Sequence, residues 1–157
     1  MAQPRMLLCV FVAVLAASFS AATQSESGGR PAAVLDNVDL MDLLVKPAYD
    51  ALHQAVARPP SDRKAWAALY QEAARLAEIE NLLFFRTRAG DARQPEWAGH
   101  AARARDASAA VAAAALLGLR SAQAADFDRV RAAFPAVSDA CTACHRAFAR
   151  EAPVIKP

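Results

Sequence analysis

Cysteine is scarce: three in 157 residues, with Cys9 near the N-terminus and Cys141 and Cys144 close together near the other end. Such a count leaves no material for a disulfide scaffold. Charge of one sign is lacking too, since 18 basic and 16 acidic residues give a formal net charge of +2. That balance argues against nucleic acid as a partner. No apolar run reaches the roughly twenty residues a membrane-spanning helix needs, and stable membrane insertion is not expected. Strict apolar–polar alternation is absent, so no half-buried strand is expected, and the absence of internal repeats points to one domain with one core.

The longest apolar run lies at the start. Met1–Arg5 is short and basic, Met6 to about Ala17 is apolar, and Ser20, Ala21 and Ala22 follow. This order predicts a secretory signal over residues 1–22, cut after Ala22, and hence a periplasmic protein. Cys9 would leave with it. The mature chain would keep 17 basic and 16 acidic residues, a net charge of +1. Residues 23–33, rich in Ser, Gly and Gln, predict a flexible leader, and residues 34–157 the folded domain.

The most informative stretch is Cys141-Thr142-Ala143-Cys144-His145. C-x-x-C-H is the attachment sequence of a c-type haem, in which two thiols add to porphyrin vinyl groups and the adjacent imidazole binds iron. On a helix, positions three and four apart share a face, so one turn can present all three side chains to one flat ring. The competing readings are a dithiol redox pair and half of a zinc site. Zinc would need further ligands from His53 or His100, and a redox pair would sit in a βαβ pattern, whereas the flanks here are helical.

Four amphipathic segments follow the leader. The first, roughly 36–57, carries Met41, Leu44, Ala48, Leu52 and Ala55 at helical spacing, with Pro47 expected to bend it and Pro59-Pro60 to end it. The second opens at Ser61 or Asp62 and runs through Trp66, Leu69, Ala73, Leu76, Ile79 and Leu83 to near Arg88. Glu78 and Glu80 are expected on its solvated face, and Asn81 as a satisfied buried amide. A third, alanine-rich helix begins at Pro95, places Trp97, Ala104, Ser108 and Val111 on one stripe, and is expected to end at Gly118 and the polar stretch around Ser121. The fourth carries the clearest seam, Phe127, Val130, Phe134, Val137, Cys141, Cys144 and Phe148, interrupted at Pro135. The expected architecture is all-α: an antiparallel up-down-up-down four-helix bundle enclosing one covalently attached haem. His53 and His100 are expected at or near the surface, and Tyr49, Trp66 and Trp97 as core or bundle-end aromatics.

With these segments placed, the chain resembles the class II cytochromes c, the cytochrome c prime family with its low-spin relatives. The likeness rests on Asp39–Asp42 with Pro47–Leu52, on Ala74–Glu78 with Asn81–Leu83, and on the C-x-x-C-H motif with Phe148 three residues on. It implies thioether bonds at Cys141 and Cys144, His145 as proximal iron ligand and Met41 as candidate sixth ligand. Met41 also shares a stripe with Leu44 and Ala48, and thioether sulfur suits haem iron; the competing reading is a flexible packing residue. The chain departs from the family at Ala149, where many members carry an arginine four residues past the histidine. Arg150 follows one position later, so the proximal gas chemistry tied to that arginine is not implied, and Arg146 and Arg150 are expected to be solvated.

The function this predicts is a non-enzymatic, exported monohaem electron carrier that docks redox partner proteins. No general base, nucleophile or substrate cleft is legible. The alternative is a five-coordinate haem protein binding NO or CO beside Leu40 and Leu44. A homodimer paired through the first and second helices, as in many relatives, is an assembly the resemblance allows.

Overall fold

The computed structural model describes residues 33–87, 91–121 and 123–157, so the expected signal segment and most of the leader lie outside the described residues. Among the described residues all regular structure is helical, in four antiparallel rods.

The first rod joins α1 (Asn37–Leu40), a π-helical turn (Met41–Val45) and α2 (Lys46–Val56). It starts where Asp36 Oδ1 accepts the Asp39 amide at 2.8 Å, a side-chain cap for a donor with no partner in the helix. The bend expected at Pro47 takes another form. Proline has no N–H to give the carbonyl four residues back, and the chain answers with a wider turn just before it. This shifts the buried stripe by one residue. Leu40 is fully buried ahead of the turn, and Val45, Ala48, Tyr49 and Leu52 are buried after its start, while Met41 and Leu44 are half-buried.

The second rod is α3 (Arg63–Asn81) closed by a 3₁₀ turn (Leu82–Phe85). Asp62 is its cap, accepting the Ala65 amide at 2.7 Å. Trp66, Leu69, Ala73, Leu76 and Leu83 form the expected buried seam. Two expectations on this rod fail. Glu80 is not on the solvated face but is 1 % exposed, because it shares the inward face with Leu76, Ala77 and Leu83. Asn81 is only half-buried, and its amide donates to exposed Glu78.

The third rod, α4 (Gln94–Ser121), runs through Gly118 and ends at Ser121, within the expected polar stretch. A Cβ at Gly118 would fall inside the Trp66 ring, so this glycine permits a close approach and does not terminate a helix. The alanines that obscured the face of α4 serve the same end: Ala101, Ala104, Ala112 and Ala115 are buried and let α3 lie close along it. The fourth rod is α5 (Ala124–Ala133) and α6 (Pro135–Phe148), split at Pro135 as expected. Leu40, Leu52, Leu69, Leu76, Val111, Val130 and Val137 make the fully buried centre.

Antiparallel order places the start of rods one and three beside the end of rods two and four. The motif lies at that end.

Candidate haem site

Cys141, Cys144 and His145 share one turn and the next residue of α6, all half-buried, with both sulfurs free of disulfide. Burial pushes the Cys141 thiol up to about 12, with the nearby Glu80 carboxylate adding to the effect, and burial raises Cys144 as well. A dithiol redox pair needs the reverse, a thiol drawn down into the physiological range. Among the described residues, no three His, Cys, Asp or Glu side chains converge as metal ligands, which removes the zinc reading there.

His145 is held in one tautomer. Its Nδ1 lies 3.1 Å from the carbonyl oxygen of Pro153. A carbonyl can only accept, so Nδ1 carries the proton and Nε2 keeps its lone pair for a metal. This is the outer contact that iron- and zinc-binding imidazoles normally make.

Around the motif, Phe148 is met edge-on by Trp97 at 5.0 Å and by His100 at 5.6 Å, and the Arg93 guanidinium lies 4.1 Å over its ring. Trp97 Nε1 donates to the Leu83 carbonyl at 2.6 Å, tying rod three to the end of rod two. His53 is exposed and stacks beside Tyr49 on α2, while His100 is half-buried. Arg146 and Arg150 are both exposed, as expected.

Buried polar atoms without a partner gather at this same end. Among the described residues they are both carboxylate oxygens of Glu80, Arg86 Nε, Thr87 Oγ1, His100 Nδ1 and Ser108 Oγ. All come from residues 80–108, the end of rod two and the first half of rod three. Buried polar atoms are nearly always satisfied, so this concentration fits a place where a bound group completes the packing. Together with paired thiols and a free imidazole lone pair on one turn, it fits a covalent haem. Two surface clefts, about 440 Å³ beside His53 and Phe134 and about 290 Å³ beside Leu44 and Phe85, do not border the motif.

Met41 lies on the facing first rod, in the π-helical turn, and packs half-buried against the same hydrophobic core as Cys141. Glu80, Tyr49 and Pro153 were not legible from the sequence as neighbours of the motif, nor was the bonding of Thr142 to Ile155. Helical spacing carried a signal for Glu80, four residues past Leu76, but the chemistry of the others depends on a tail whose path no periodicity encodes.

A family model described as Cytochrome C' matches residues 36–149, most of the chain. The chain belongs to the cytochrome c′ family. Membership means a haem c protein with a four-helix bundle fold, in agreement with the four rods and the motif. Comparisons with curated proteins and with solved structures gave no match.

Proposed function

We propose that this cytochrome c′ family member is an exported electron carrier and not an enzyme, with one haem c bonded to Cys141 and Cys144 and ligated by His145 and Met41. The observation that carries this reading is the place of Met41. It occupies a π-helical turn, a rare element that recurs at functional sites, and faces the core shared with Cys141. Bound there, the haem supplies a one-electron ferric–ferrous couple, and a Met/His ligand pair raises its potential.

The protein's own residues serve that couple by holding still. Thr142, between the two cysteines, is buried, and the imidazole of His145 is fixed through Nδ1. Met41 is carried on a capped helix, between fully buried Leu40 and buried Val45. Ligands that keep their places in both oxidation states need little reorganisation, and electrons then pass readily to docked redox proteins. Members of the family are typically periplasmic, which accords with the signal expected at residues 1–22. No helix among the described residues is long and apolar enough to cross a membrane.

The second reading is gas binding, which family members also perform, sometimes as dimers. Buried Leu40 and half-buried Leu44 favour it, since they would make an apolar distal side without a donor to stabilise oxygen. Absorption spectra of ferric and ferrous holoprotein, before and after CO, separate the two. The carrier reading expects low-spin iron in both states, unchanged by CO, and a Met41→Ala variant that becomes high-spin and binds CO. High-spin wild-type iron that takes up CO at once overturns it in favour of gas binding.

A further inference from the structure

Past Phe148 the chain folds back along the helix it has just left. Ala149 leaves the helical conformation, and the Ala152 amide donates to its carbonyl at 2.8 Å, closing the turn. The returning tail then meets α6 at two residues and the first rod at one. The Pro153 carbonyl accepts from His145 Nδ1 at 3.1 Å. Thr142 Oγ1 accepts the Ile155 amide at 3.0 Å and donates to the Ile155 carbonyl at 3.2 Å. Tyr49 Oη, from the first rod, donates to the Lys156 carbonyl at 2.6 Å. A phenol has one proton, so at Tyr49 the 2.9 Å contact with Ser138 runs the other way, with Ser138 Oγ donating.

Tail residues 153 and 155 bond His145 and Thr142, three apart on one face of α6, and Lys156 is linked to Ser138, four residues further back on that face, only through Tyr49 Oη. Ile155 is half-buried and packs on the core, and its backbone is satisfied in both directions by the one hydroxyl. A segment without regular structure stays mobile unless it is tied down. Here the ties are Thr142, inside the C-x-x-C-H motif, and Tyr49.

We propose that residues 149–157 form a strap, held by Tyr49 and Thr142, whose task is to hold the Pro153 carbonyl against His145 and so set the orientation and basicity of its imidazole. This rests on the reading of His145 as iron ligand. Tyr49 and Thr142 are then positioning residues for that ligand and touch no reacting atom. Losing the Nδ1 contact weakens the imidazole as an electron donor, which stabilises ferric iron less and raises the reduction potential.

The test uses ferrous holoprotein with ¹⁵N-labelled histidine, as its CO adduct if the iron proves five-coordinate, and reads solvent exchange of the His145 Nδ1 proton alongside the reduction potential. Thr142→Val, Tyr49→Phe and a chain ending at Arg150 should each exchange that proton about tenfold faster or more, the worth of one hydrogen bond, and show a raised potential. Thr142→Ser, which keeps the hydroxyl, should match the wild type. Asp62→Ala, a remote cap variant, should lose stability without moving either readout. Unchanged exchange in Thr142→Val and Tyr49→Phe, with haem retained, overturns the strap alone. Wild-type protein that gives up its haem to acidified organic solvent overturns the haem reading, and the strap with it.

Discussion

Glu80 on α3 and Ser108 on α4 approach each other in the bundle interior, yet neither the carboxylate nor the hydroxyl completes a hydrogen bond. Burial pushes the Glu80 carboxyl up from its ordinary 4.5 to about 7, and the nearby Ser108 hydroxyl offsets this only in part. The folded protein therefore holds this proton more tightly than the unfolded chain. Its contribution to stability is full below about 4.5 and is lost as pH rises through about 7. At 1.36 kcal/mol per pH unit the range amounts to about 3 kcal/mol. Glu80→Gln should accordingly be the more stable protein at pH 8, with its advantage shrinking toward pH 4.5. Urea denaturation of both holoproteins across that range checks it, and a difference that does not vary with pH would refute it.

Gly118 and Trp66 allow a second expectation in which two effects oppose. Alanine is the better helix former by about 1 kcal/mol, so Gly118→Ala would stabilise an unconstrained helix. Here the added methyl enters the Trp66 ring, whose side chain is 4 % exposed and edge-packed on Phe127, with little room to yield. Overpacking of this kind costs about 1–3 kcal/mol, and a net loss of stability is expected. In a Trp66→Leu background the same substitution should cost less or nothing, a coupling that a double-mutant cycle measures.

The two aspartate caps should part in their effects. Asp36→Ala and Asp62→Ala each remove one side-chain acceptor from a helix start and should each cost about 1 kcal/mol. Asp36 caps the four-residue helix that leads into Met41, whereas Asp62 caps a rod of nineteen residues. Only Asp36→Ala should increase the fraction of iron open to CO. Equal CO binding in the two variants would remove the link between this cap and Met41.

Loss of the thiols gives the most direct outcome. The double variant Cys141→Ala and Cys144→Ala, produced where c-type cytochromes are matured, should release all pigment to acidified organic solvent, and each single variant should retain one thioether. The pyridine haemochrome spectrum distinguishes two bonds from one and from none.

Much of the bundle was legible beforehand. Trp66, Leu69, Ala73 and Leu76 on one rod, and Phe127, Val130, Phe134 and Val137 on another, recur at spacings that only a helix can gather on one face, and all are buried. Pro135 splits its rod because a missing N–H acts locally. Gly118 belongs to the last turns of its helix, as its place before Ser121 suggested, but its packing purpose comes only from the ring of Trp66, distant in sequence. Glu80 misled because a carboxylate is ordinarily solvated, although its spacing four residues past Leu76 puts it on the inward face.

By itself, then, the sequence determined the helices, their apolar faces and the C-x-x-C-H turn, since each depends on residues within a few positions of one another. Tertiary structure alone decided that Met41 rides on a π-helical turn facing the core of Cys141, that Glu80 is sealed beside Ser108, and that the last residues return to meet His145. Those relationships join rods or span a reversal of the chain, and their energies arise only when distant segments pack together.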